Sequence, residues 1–233
     1  MSDSTPKRPS AMTRRRSLVQ LGGLVAGAAV AGGARLDPAA RAAAPARSGA
    51  RCVLAPEQTE GPYYIPREKV RRTITDGRPG VPLQLQLQVV DAAGCRAIAG
   101  AAVDVWHCDA SGVYSGVAGA GAGRRFLRGI QRTDARGLAR FDTIYPGWYP
   151  GRTVHVHVKV HVGGTVVHTG QLYFPDTLTD AVYRQEPYRR RPARDTRNAQ
   201  DGIFQQGGRR SLLAVRRQGA GYVAALALGV RRA

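Results

Sequence analysis

Val154-His155-Val156-His157-Val158-Lys159-Val160-His161-Val162 alternates apolar and polar residues without a break. A period of two is that of a β-strand with one face in a core. The five valines then share the inward face, and His155, His157, Lys159 and His161 share the other. The flanks agree with a strand. Upstream, Tyr145-Pro146-Gly147-Trp148-Tyr149-Pro150-Gly151-Arg152 is a rigid Pro/Gly turn. Downstream, Gly163-Gly164 turns the chain into a return arm, Thr165-Val166-Val167, that leads toward Leu172-Tyr173-Phe174.

The same punctuation extends both ways. Leu83-Gln84-Leu85-Gln86-Leu87-Gln88-Val89 places leucines on one side and glutamines on the other. Ala102-Val103-Asp104-Val105-Trp106 is a further strand, ending near the turn cluster Asp109-Ala110-Ser111-Gly112. Gly137 to Ile144 is another, closed by Tyr145-Pro146-Gly147, and Tyr222 to Val230 reads as the closing strand, too short to span a bilayer as a helix. Helix is expected only as a turn near Asp176–Tyr183, and no internal repeat occurs. Many short strands separated by turn signals predict a mainly β chain, a β-sandwich of mixed topology with little helix.

Length and charge bound the function. The 233 residues suffice for one domain with a real core. The formal charge of +19 invites a nucleic-acid reading. Its distribution weakens that reading, because residues 1–44 carry +5 and residues 187–233 carry +9. No specific nucleic-acid partner is expected. Thr13-Arg14-Arg15-Arg16-Ser17-Leu18-Val19 precedes the uncharged run Leu18 to Ala34, the layout of a secretory signal. Paired arginines, a polar residue and two apolar ones make it look like a twin-arginine signal. Residues 1–44 are therefore taken as signal peptide and linker, with a general-secretory signal or a retained anchor as alternatives, and 45–233 as the β-sandwich domain. The chain is expected outside the cytosol, where disulfides persist. Cys95 and Cys108 flank a turn and a strand and suit one bridge, leaving Cys52 odd; other pairings stay open.

Two histidines at i and i+2 on one strand face can hold one metal ion, although a lone pair of this kind is more often the polar face of a sandwich strand. Tyr149 stands six residues before His155 and Arg152 three before it, while Asp109-Ala110-Ser111-Gly112-Val113-Tyr114-Ser115 presents another tyrosine in a turn. Tyr145 is the rival of Tyr149 within the Pro/Gly turn, and His107 and His161 read as structural or solvated.

With these residues in place, the sequence resembles the intradiol ring-cleavage dioxygenases. The blocks Val103–Ser115, Phe126–Phe141 and Thr143–Val160 are similar to that family's metal-binding segments, and Thr59-Glu60-Gly61-Pro62-Tyr63-Tyr64 is similar to its N-terminal pocket segment. The similarity covers residues 52–230. The resemblance implies a non-haem Fe(III) held by Tyr114, Tyr149, His155 and His157. It also implies that Arg152 faces the substrate ring, that Gln171 is a pocket glutamine, and that Gly61, Pro62 and Tyr63 wall the cavity as substrate-binding residues. Two phenolates favour ferric over ferrous iron because they are hard anionic donors. The implied reaction is cleavage of a catechol-type ring by O2, between its two hydroxylated carbons, to a cis,cis-muconate-type diacid. Tyr114 would be the ligand released as catechol binds, taking its second proton.

The chain departs from the classical catechol enzymes in having no room for their N-terminal helical dimerisation region. It resembles the short, exported, single-domain members, without a following carbohydrate-binding module. A homodimer is compatible with the sequence but not required. Two rival readings are a non-catalytic secreted binding module and a basic polyanion-binding surface protein acting through Arg189-Arg190-Arg191, Arg209-Arg210 and Arg216-Arg217. Those clusters read as solvated loop. The ring substituents accepted are not legible, though the basic balance mildly suits a carboxylated ring.

Overall fold

The computed structural model describes residues 53–231. The leader expected over residues 1–44 and Cys52 lie outside them. Two four-stranded sheets face each other over a shared core, as expected for a β-sandwich. The first has the order β4-β1-β8-β7, from β1 (Pro82–Asp91), β4 (Leu138–Ile144), β7 (Ala214–Gln218) and β8 (Gly221–Val230). The second has the order β3-β2-β5-β6, from β2 (Ala102–Trp106), β3 (Arg128–Arg132), β5 (His155–Val162) and β6 (Thr165–Tyr173). The pair β1–β8 is parallel and the other ladders are antiparallel, which makes the topology mixed. Among the described residues helix is confined to α1 (Asp176–Val182), α2 (Gly202–Gln205) and three single 3-10 turns.

Alternation places the core. Leu83, Leu85, Leu87 and Val89 of β1 meet Val103 and Val105 of β2 and Val156, Val158 and Val160 of β5 in one buried cluster. Each such side chain contributes about 1.5–3 kcal/mol relative to an exposed one. The ladder between β5 and β6 slips between Val160 and His161, so the unbroken alternation of the sequence ends in a bulge, and Val162 is only partly buried against the core.

Two strands lack a sequence signature. In β3, Arg128-Gly129-Ile130-Gln131-Arg132 shows no apolar alternation. β7 is an edge strand carrying exposed Arg216 and Arg217, the charged decoration that keeps an edge from pairing further. The region after α1 is likewise no plain solvated loop. Arg194 bonds Asp176 and Asp180, and Asn198 donates to the Phe174 carbonyl.

The cysteine pairing is corrected. Cys95 is disulfide-bonded but Cys108 is free and buried, so the two do not bridge. Cys95 follows an exposed turn after β1, whereas Cys108 lies beyond β2 beneath the Gly147 carbonyl, to which its thiol donates at 3.4 Å.

Candidate metal centre

The polar face of β5 points away from the core and is nevertheless buried. His155 and His157 are 3% and 1% exposed, and Lys159 is 8%. Three segments lie over this face: residues 59–64, the turn carrying Tyr114, and the turn carrying Tyr149. Glycine lets the two turns approach. A Cβ on Gly147 would lie 2.4 Å from the Asp109 carbonyl oxygen and 2.6 Å from that of Ala110. Within the second turn the two tyrosines diverge. Tyr145 enters the core and its hydroxyl meets Thr179 Oγ1 at 2.7 Å, while Tyr149 faces the histidines.

The donor atoms converge. Tyr149 Oη lies 3.0 Å from His155 Nε2, which lies 3.1 Å from His157 Nε2. His155 Nδ1–H donates to the Thr153 carbonyl at 2.6 Å, which leaves its Nε2 as a bare lone pair. His157 is held from behind by Trp106, whose ring stacks on it at 4.9 Å and 6°. The Tyr114 ring stands 5.7 Å from that of Tyr149 and 6.1 Å from that of His157. Its hydroxyl is buried beside that of Tyr149, without a hydrogen bond of good geometry among the described residues.

Burial dominates the electrostatics. It pushes His155 down to about 3, with Arg152 adding to the effect, and holds His157 well below its ordinary value. Both imidazoles are therefore neutral and ready to donate. Burial also pushes Tyr149 up to about 12 against the pull of Arg152, and Tyr114 well above its usual range. Two buried phenols ionise here only against a compensating cation. A buried phenol, two Nε2 atoms at 3.1 Å and a second phenol at 3.0 Å suit a metal ion that accepts imidazole and phenolate together.

The remaining expected residues gather around the same point. Arg152 Nε donates to Asp201 at 2.9 Å, and one of its Nη groups donates to Gln171 Oε1 at 2.5 Å. Gln171, opposite His157 in the β5–β6 ladder, donates to the Thr59 carbonyl at 2.9 Å and so joins the overlying segment to the sheet. Gly61 adopts φ +67°, and a Cβ there would lie 3.4 Å from His157 Cε1. Tyr63 stacks on Tyr114 at 4.4 Å and meets Tyr149 edge-on at 6.3 Å, while Pro62 is exposed beside them. The other histidines are committed elsewhere. His107 bonds the Cys108 carbonyl and Thr143, His168 pairs with Glu57, and His161 is half-buried beyond the bulge.

A family model described as Dioxygenase matches residues 59–185, more than half of the chain. An intradiol ring-cleavage dioxygenase from Tetranychus urticae is 36% identical, with a TM-score of 0.73, over 77% of this chain and 95% of that one. The chain belongs to the intradiol ring-cleavage dioxygenases. The dioxygenase domain of a dioxygenase–carbohydrate-binding protein fusion from Streptomyces sp. SirexAA-E is 33% identical, with a TM-score of 0.60, over 78% of this chain and all of that one. Catechol 1,2-dioxygenase from Acinetobacter sp. ADP1, at 21% identity and a TM-score of 0.58 over 76% of this chain and 62% of that one, shares the fold.

Two residues near the site escaped the sequence reading. Asp201, 1% exposed, lies beyond the matched segment and accepts from Arg152 Nε and from the Thr153 amide at 2.8 Å. Its other oxygen caps α2 through Ile203 and Phe204. An aspartate before Gly202-Ile203-Phe204 is an N-cap signal that could have marked it as ordered. Arg128, 1% exposed, donates to the Ser115 and Tyr63 carbonyls and so ties together the segments bearing Tyr114 and Tyr63.

Proposed function

We propose that the protein cleaves a catechol-type ring between its two hydroxyl-bearing carbons, with O2 as co-substrate and a ferric ion held by Tyr114, Tyr149, His155 and His157. One observation carries this reading: the convergence of two neutral Nε2 atoms and two phenols beside Arg152 in a buried site. Family membership supports it. When bound, the ferric ion supplies the Lewis acidity and the electron path that let the ring react with O2.

The protein groups do the rest. Thr153 fixes the His155 tautomer and Trp106 fixes the plane of the His157 ring. Tyr114 would be held as a phenolate by the ion, and in that form its Oη would be the base for the second catechol proton. Arg152 offers its remaining Nη to negative charge developing on the ring, a preorganised contribution of about 3–4 kcal/mol. Gly61 and Tyr63 shape the wall against which the ring lies. The product is a cis,cis-muconate-type diacid.

The test is a visible spectrum with iron quantitation, before and after anaerobic addition of catechol. About one iron per chain, a red-brown tyrosinate-to-ferric band and a shift with catechol are expected. A colourless protein after ferric loading during folding would sink the reading. The protein is further proposed to be exported by a twin-arginine leader within residues 1–44. Replacing Arg15 and Arg16 by lysine should retain it in the cytoplasm; unchanged export would remove that assignment.

A further inference from the structure

The charge that faces the substrate is not a free one. Arg152 spends Nε on Asp201 and one Nη on Gln171, and its other Nη has no hydrogen-bond partner among the described residues. The pair with Asp201 has an N–O distance of 2.9 Å, with side chains 17% and 1% exposed. Asp201 is held as a carboxylate: burial works against ionisation, but the Thr153 amide and the Arg152 guanidinium outweigh it and keep its pKa below the usual value. Arg128, also a buried cation near the site, is spent on the Ser115 and Tyr63 carbonyls, and the remaining charges are matched or turned away. Lys159 is paired with Glu60 and lies over the Tyr64 ring. Arg191 stacks on Trp148 at 4.4 Å and donates to its carbonyl, and Asp195 accepts from the Gly151 amide on the same loop.

We propose that Asp201 sets the substrate class by neutralising Arg152, so that the site selects catechol rings without an anionic substituent. This rests on the catechol-cleavage reading above. A ring carboxylate entering the site gives up its hydration, and that loss is recovered only where an uncompensated cation receives it. A guanidinium already paired in a buried site offers a hydrogen bond but little net charge. The composition alone suits an anionic ring, with +19 over the chain, but +14 of it lies in residues 1–44 and 187–233, and the pairing beside the donors decides the matter. Asp201 is thus a positioning residue that acts on the ring through Arg152.

The experiment compares kcat/KM for catechol and protocatechuate in the iron-loaded wild type and in Asp201→Asn. Asparagine is as good an N-cap as aspartate, so α2 is retained while the charge is removed. The wild type should favour catechol by at least about tenfold, about 1.4 kcal/mol. The variant should lose rate on catechol and narrow the ratio by about as much. A purely structural role would lower both substrates together, and an unchanged ratio overturns the proposal. A wild type that prefers protocatechuate overturns it without recourse to any variant. Metal-free wild type should show the same order in binding phenol over para-hydroxybenzoate, followed by tryptophan fluorescence; the reverse order overturns it as well. Turnover of neither catechol by the iron-loaded wild type would remove the parent reading, and this one with it.

Discussion

Strands β1 and β5 carry the same pattern and meet different fates. Leu83-Gln84-Leu85-Gln86-Leu87-Gln88 and Val154-His155-Val156-His157-Val158-Lys159 both alternate, and both occupy interior positions in their sheets. Their apolar faces join one core. Their polar faces do not behave alike. Gln84 and Gln86 are half-buried and Gln88 exposed, satisfied among themselves and by Asp142 and the Arg136 carbonyl. His155, His157 and Lys159 are buried beneath three loop segments. Alternation therefore determines which side faces the core and says nothing about whether the other side stays wet. What separates a surface from a site is what the loops lay over it.

The sharpest way to break that comparison is to make the same substitution on both polar faces. Losing a group that merely supports a metal ligand costs about 10–100-fold in metal affinity. His157→Ala removes a donor, and also the stack with Trp106, and should exceed that range. Gln86→Ala should leave iron binding unchanged and alter stability by less than about 0.5 kcal/mol. Iron content, the intensity of the visible band and Tm, measured on both variants, check the pair. Stoichiometric iron in His157→Ala would show that the two faces differ in burial but not in function.

The same contrast explains what could be seen in the sequence. Strands with an apolar face were legible because burial of one side leaves a period of two, as in β1, β2 and β5. Tyr145 and Tyr149 share one Pro/Gly turn, and the fold separates them, Tyr145 entering the core and Tyr149 facing the histidines. β3 and β7 were silent because one lacks alternation and the other is a charged edge. Asp201 was hidden for a different reason. Its partner Arg152 lies 49 residues earlier, and a polar pair made across the fold has no local period. Arg128 looks like any surface cation until its guanidinium is found among carbonyls. The cysteines failed on distance in space: nearness in sequence joined Cys95 to Cys108, although one belongs to an exposed turn and the other to the interior.

A smaller effect is expected one position further along the covered face. Asp104 on β2 stands opposite Lys159 in the ladder and is 1% exposed. Burial is the main reason that its pKa rises from 3.8 to about 7; the Tyr64 hydroxyl and Lys159 oppose the rise and Glu68 adds to it. The sign follows from linkage. A carboxyl that holds its proton more tightly when folded adds stability below its unfolded pKa, and that contribution fades as pH rises through about 7. Asp104→Asn, neutral at every pH, should therefore gain on the wild type as pH rises from 4 to 8.5. For a chain of this size, about 1 kcal/mol corresponds to about 2–4 °C in Tm. Thermal unfolding of both proteins across that range checks the slope. A Tm difference that stays flat would mean that Asp104 is ionised throughout, held by Lys159 and Arg128, and that the covered face beyond His157 is as well solvated as the glutamine face of β1.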